Sequence, residues 1–253
     1  RPVAPAAGPG DHVSVDLHPR VKVLAFDTFG TVTDWFTGIS GAVDAVAPGV
    51  DAAAFAKEWR RRYSPILARV ESGELPWRRL DDLQTETLHD VASLFALTLD
   101  DEQTRTLVRA WRTIPAWPDA VEGLQLLRRD HIVCALSNGT VALLTDMARH
   151  NAFPWDVIGG SDLWRHYKPA RETYCGLADL LEVEPAEVMM VATHQSDLDA
   201  ARSFGLRTAF VERPDEWGGD EKDDSGSPDN DFHATDLLDL ARQLSPSVTG
   251  PSR

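Results

Sequence analysis

The run Val21-Lys22-Val23-Leu24-Ala25-Phe26 ends on Asp27 and turns within four residues at Gly30-Thr31. A stretch apolar on both faces suits an interior strand of a parallel sheet covered by helices, which already commits the chain to an α/β plan. A carboxylate at the carboxyl end of such a strand faces the mouth of the sheet, where open α/β folds bind ligands. Asp27 then has two readings. It is a nucleophile toward which the rest of the chain is arranged, or it is a turn former of the kind Asp commonly provides.

The segment after this strand changes character. Residues 35–113 read as almost wholly helical, with Val43, Val46, Val50, Phe55, Trp59, Tyr63, Ile66, Leu67 and Val70 at helical spacing between charges. Gly73 and Pro76 interrupt it. Further helices are predicted over 80–95 and 101–111, the second capped by Asp100 or Asp101. A helical insert placed straight after the first strand is the expected form of a cap domain, 35–113, over a core of 21–34 and 114–245. In the core, helices over 118–129, 140–150, 172–181 and 197–203 alternate with apolar strands at 132–136, 157–159, 187–192 and 208–211, and a last helix spans 237–244. That alternation predicts a Rossmann-like α/β fold, a parallel sheet with helices on both faces. Residues 215–231, acidic and rich in Gly and Ser, read as a mobile loop. Residues 1–20 read as a loose arm without the regions of a signal peptide, and 246–253 as a tail.

Composition narrows the function classes. A chain of 253 residues can bury its own core without disulfides or metal staples. Its two cysteines, Cys134 and Cys175, sit in apolar contexts and read as buried free thiols, consistent with a reducing cytoplasm. No apolar run approaches the ~18 residues of a membrane span. A net charge of −15 argues against nucleic acid, which requires a basic face.

Three core strands end in small polar clusters: Asp27-Thr28, Ser137-Asn138 and Thr193-His194. Adjacent parallel strands bring such ends into one pocket. Lys168, before Pro169 at the expected first turn of a helix, and Asp197, at a helix start, belong to the same end. Singly, each has a plain structural reading as turn residue, solvated lysine or N-cap. The order carboxylate, hydroxyl–amide pair, lysine, carboxylate is what sets them apart.

That order resembles the haloacid dehalogenase (HAD) superfamily, and the resemblance extends over residues 21–244. Phe26-Asp27-Thr28-Phe29-Gly30-Thr31, Leu136-Ser137-Asn138-Gly139, Tyr167-Lys168-Pro169 and His194-Gln195-Ser196-Asp197-Leu198 look most like the type II L-2-haloacid dehalogenases. The superfamily's phosphatases carry a second Asp two residues past the nucleophile to protonate a leaving alcohol; here Phe29 stands there, and a halide needs no proton. The resemblance implies hydrolysis of short-chain L-2-haloacids through an aspartyl ester on Asp27, with no cofactor and no metal. Fluoroacetate joins the substrates if the halide pocket is small. It implies that Thr31 and Ser137 hydrogen-bond Asp27, that Lys168 keeps it ionised, and that Asp197 anchors Lys168 and, with His194, activates water. Amides near Thr28 and Phe29 would hold the substrate carboxylate, and Arg60, with Asn138, the halide. Arg61 or Arg62 remains an alternative to Arg60, and a basic triplet is by itself more often a solvated helix face. His194 is either a base or a packed neighbour, since better-known members carry an Asn-containing segment there. Trp35, Trp59 and Trp77 are expected to line the halogen pocket; Trp111, Trp155 and Trp164 are expected in the core. The partner implied is a small haloacid, with a homodimer left open. The competing readings are a Mg²⁺-dependent HAD phosphatase and a non-catalytic HAD-like binding protein.

Overall fold

The computed structural model describes residues 20–219 and 225–245. The expected tail, and the expected arm apart from its last residue, lie outside them. The first strand, β1 (Val23–Phe26), is wholly buried. Its side chains alternate between two cores: Leu24 and Phe26 join one cluster, Val23 and Ala25 the other. This is the two-sided burial that the apolar run requires.

The chain leaves the sheet through a narrow neck. Asp34 N donates to Pro115 O at 2.8 Å and Trp117 N to Val32 O at 3.1 Å, so departing and returning segments lie side by side. Between them run five helices: α1 (Trp35–Val46), α2 (Ala52–Arg61), α3 (Tyr63–Glu71), α4 (Leu80–Leu94) and α5 (Asp101–Ala110). Local chemistry starts them. The side chains of Asp34, Asp51 and Asp100 accept from backbone amides at the starts of α1, α2 and α5, and Asp100 with Gln103 completes a capping box.

Helix α6 (Ala120–Leu127) returns the chain to the sheet at β2 (Ile132–Ser137). Then follow α7 (Val141–Asn151), β3 (Val157–Gly160), the single turn α8 (Ser161–Trp164), α9 (Arg171–Leu180), β4 (Val188–Ala192), α10 (Gln195–Ser203), β5 (Arg207–Val211), β6 (Phe232–Ala234) and α11 (Leu237–Leu244). The six strands are parallel in the order β3-β2-β1-β4-β5-β6. Helices α6, α7 and α11 pack on the Leu24–Phe26 face, α9 and α10 on the other. The fold is therefore α/β and Rossmann-like. The order reverses at β1, so the crevice at its carboxyl end is the topological switch point.

Three details differ from expectation. Helix α8 and strand β6 are additional, each too short to leave a periodic signal. Pro169 lies ahead of the N-cap Ala170 instead of inside the first turn of α9, and α10 begins two residues before Asp197. The loop expected to be mobile over 215–231 contains Glu216, only 1 % exposed. Its acidity suggested solvation, whereas buried donors at the sheet mouth receive that carboxylate.

Candidate active site

The carboxyl ends of β1, β2 and β4 open on a cavity of about 500 Å³, roofed by α2 and α3. Asp27, Phe29, Arg60, Tyr63, Asn138, Lys168, Tyr174, His194, Asp197 and Trp217 contribute to its wall.

Asp27 is held from three sides. Thr31 Oγ1 donates to its Oδ2 at 3.0 Å, Lys168 Nζ to its Oδ1 at 3.1 Å, and His194 Nδ1 lies 3.4 Å from Oδ2. Thr31 is itself fixed, since its Oγ1 accepts from Thr193 N at 3.1 Å. Burial alone would raise the Asp27 carboxyl. The charge of Lys168, followed by the hydrogen bond and charge of His194, outweighs burial and holds Asp27 well below the usual carboxylate range. The group is an ionised, desolvated and aimed carboxylate.

Lys168 Nζ also donates to Asp197 Oδ2 at 2.6 Å, and Tyr174 Oη to Asp197 Oδ1 at 2.7 Å. Burial opposes the ammonium, but Asp197 and Asp27 overcome it and leave Lys168 above its ordinary value. Burial, reinforced by Asp27, pushes the Asp197 carboxyl up. Asn138 Oδ1 accepts from Lys168 N at 2.7 Å, so the second strand-end cluster positions the lysine loop.

Of the three arginines at the end of α2, Arg60 enters the cavity. Its guanidinium stacks 4.5 Å from the Tyr63 ring centroid and 5.6 Å from that of Trp35. Its Nε is buried without a hydrogen-bond partner. Arg61 lies over Trp217 and Arg62 pairs with Glu58. Burial pushes the Tyr63 hydroxyl up to about 12, so it is a neutral donor at the wall.

Several expected roles need correction. Ser137 Oγ pairs with Thr28 Oγ1 at 2.6 Å and accepts from Gly139 N, so it supports the Asp27 loop through Thr28 and not through the carboxylate. The Thr28 side chain is fully buried in that contact and lines no cavity. Trp35 is also fully buried, and its Nε1 donates to Glu216 Oε1 at 2.8 Å; it stands behind the site. Trp59 turns to Gln84 O and Thr87. The aromatic wall comes instead from Phe29, Tyr63 and Trp217. Phe29 is 2 % exposed and packs edge-on against Trp111 and Tyr63.

The sequence reading missed Tyr63, Tyr174, Trp217 and Glu216. Tyr63 follows Arg60 by three residues, a spacing that could have suggested a shared side of the helix pair. Glu216 had no such signal. It accepts from His194 Nε2 at 3.0 Å and lies 3.9 Å from Arg60 Nη2. Burial would raise its carboxyl, but His194 and then Arg60 and Trp35 hold it down. In turn Glu216 and then Asp27 lift His194 well above its ordinary pKa, against the effect of burial. Among the described residues no group of three or more His, Cys, Asp or Glu is arranged to hold a metal ion. None of the described helices is long and apolar enough to cross a membrane.

A family profile described as haloacid dehalogenase-like hydrolase matches residues 21–205. The (S)-2-haloacid dehalogenase 4A of Burkholderia cepacia is 29% identical over 199 residues, 76% of this chain and 84% of that protein. Among solved structures, a defluorinating L-2-haloacid dehalogenase is 43% identical, with a TM-score of 0.87 over 89% of this chain and 96% of the other. A second L-2-haloacid dehalogenase is 39% identical, with a TM-score of 0.85 over 89% and 100%. The strand-end carboxylate, the lysine bridge between two carboxylates and these matches agree: the chain belongs to the haloacid dehalogenase-like hydrolase family.

Proposed function

We propose that the protein hydrolyses short-chain L-2-haloacids to 2-hydroxy acids, with Asp27 as nucleophile. The observation that carries this reading is Phe29. Beside an ionised Asp27, where a phosphatase of this family needs an acid to protonate a leaving alcohol, the cavity wall is an aromatic ring locked by Trp111 and Tyr63. A halide departs without a proton.

In this reading Asp27 attacks C2 in line with the carbon–halogen bond, and the halide leaves with the bonding pair. The ester splits one difficult displacement into two steps. Arg60, desolvated between Tyr63 and Trp35 with an unsatisfied Nε, receives the halide together with Asn138, while amides at Thr28 and Phe29 take the substrate carboxylate. Lys168 holds the nucleophile ionised and Asp197 holds Lys168. Helices over 35–113 act as a cap on a core of 21–34 and 114–245, hinged at the paired neck segments. The aromatic wall supports small acids such as chloroacetate and 2-chloropropionate, and the 43%-identical defluorinating relative supports including fluoroacetate.

The test is chloride release from chloroacetate in EDTA, followed by mass spectrometry of the Asp27 peptide after many turnovers in heavy-oxygen water. Label in the Asp27 carboxylate is expected. Silence toward haloacids, with Mg²⁺-dependent phosphate release from a phosphomonoester, would establish the phosphatase reading instead.

A further inference from the structure

We propose that Glu216 is a positioning residue of this site, which orients His194 to take the proton of the water that opens the Asp27 ester. The inference rests on the dehalogenase reading and adds to it a carboxylate–imidazole pair facing the ester carbon. Its basis is geometric. His194 bridges Glu216 and Asp27: Nε2 meets Glu216 at 3.0 Å and 3.1 Å from its two oxygens, and Nδ1 faces Asp27 Oδ2 at 3.4 Å. Only one ring nitrogen is thereby left toward the reacting carboxyl, and the carboxylate behind it fixes the ring's orientation and tautomer.

The surroundings are built for a buried carboxylate at this place. Trp35 Nε1 supplies a second donor to Glu216. Gly30, at φ +92°, leaves the room: a Cβ there would run into the Glu216 carboxylate. Arg213 ties the loop down, its Nε donating to Thr31 O at 2.9 Å and its two terminal nitrogens to Asp119 at 2.8 Å each. Around His194 the charged and titratable groups are Asp27 at the end of β1, Glu216, Arg60 on α2, Tyr63 on α3, Lys168 before α9 and Asp197 on its own helix α10.

The steps balance. Alkylation makes the Asp27 O–C2 bond and expels halide with its electron pair; no proton moves. It also removes the Asp27 charge that favoured a protonated His194, so the imidazole can give up its Nδ1 proton to solvent. Water then attacks Asp27 Cγ, and one of its protons passes to His194 Nδ1 while Nε2–H stays on Glu216. As the Cγ–O(alkyl) bond breaks, that proton goes to the departing 2-hydroxy acid. The second water proton passes from the regenerated Asp27 carboxyl to His194 Nδ1 and restores the resting imidazolium, so the only net proton is the one His194 gave to solvent: one haloacid and one water yield hydroxy acid, halide and one proton.

The experiment is rapid-quench measurement of chloride and glycolate from chloroacetate, with intact-mass detection of the ester, in the wild type, Glu216→Gln, His194→Gln and the double variant. Glu216→Gln keeps a chloride burst near one equivalent per site but slows glycolate formation by roughly 10²-fold, a general-base-sized effect. The ester accumulates, and the acid limb of its hydrolysis moves to lower pH because the imidazole has lost its anion. In the His194→Gln background, Glu216→Gln adds nothing to the hydrolytic defect. Equal losses of burst and turnover without ester, or an unmoved pH limb, overturn the proposal and leave Glu216 a structural ion-pair partner. Should Glu216→Gln fail to fold, His194→Gln decides: ester hydrolysis at the wild-type rate overturns the proposal. A wild type that releases no chloride sinks the dehalogenase reading itself, an outcome separable from all of these.

Discussion

Asp27 and Phe29 divide the chemistry between them, and each supports a prediction. Asp27→Asn removes the attacking oxygen's charge, so chloride release falls by ~10⁴-fold or more, as for other nucleophiles replaced in place. The amide keeps the shape of the carboxylate and its single oxygen still accepts from Lys168, so circular dichroism stays native. A variant that retains turnover would place the nucleophile elsewhere. Phe29→Asp puts a carboxylate among Trp111 and Tyr63 at a position 2 % exposed. Burying an unpaired charge there costs roughly 3 kcal/mol or more of stability and confers no phosphatase activity, because Arg60 and His194 still fill the site. Denaturant melts and a Mg²⁺ phosphomonoester assay check both parts; substantial phosphatase activity would refute the claim. At this scale the sequence was legible for the charged and amide groups at the carboxyl end of the sheet: Asp27, Asn138, Lys168, His194 and Asp197 all reach the cavity. It misassigned Ser137 and Trp35 because position along the chain does not say which neighbour a hydroxyl or indole prefers. Thr28 and Ser137 satisfy each other, and Trp35 satisfies a carboxylate 181 residues away in sequence.

Among the elements, the loop after β5 is where sequence and structure part most. Its glycines, serines and acids read as solvated, yet its first turn delivers Glu216 and Trp217 to the site. The contacts that hold it are long-range and polar, made by Arg213 to the Asp27 loop and to the start of α6, and no periodicity encodes them. The strands and long helices were legible for the opposite reason: two-sided burial and 3.6-residue spacing are written locally. Arg213→Lys is the corresponding prediction. A lysine keeps the charge but gives up the paired donors to Asp119 and the bond to Thr31 O. The side chain is 7% exposed, so ~2 kcal/mol of stability should be lost. As the loop slackens, chloroacetate hydrolysis should fall about 10-fold while the chloride burst persists. A drop in the burst alone would instead assign Arg213 to substrate binding.

Over the whole molecule, a net charge of −15 makes every buried ion pair part of a pH balance, and the signs can be worked out group by group. Glu216, Asp27 and Asp119 have lowered pKa values, so their stabilisation is present above ~4 and is lost as pH falls through their folded values. Asp197 is raised, so its contribution runs the other way and partly offsets them on the acid side. His194 is raised as well. Its contribution is complete below ~6.5 and disappears as pH climbs through its folded value. Absolute melting curves mix these with general self-repulsion, which grows as the acids ionise. The difference between the wild type and Glu216→Gln largely cancels that background and isolates one pair. That gap should be widest from about pH 5 upward while His194 remains protonated, and should amount to several degrees, the size of ~1–2 kcal/mol in a chain of this length. It should narrow in acid as Glu216 takes up its proton, and again in alkali as His194 gives its proton away. A gap of constant width from acid to alkali would mean that shape and neutral hydrogen bonds hold Glu216, and that the imidazole beside it carries no charge in the resting protein.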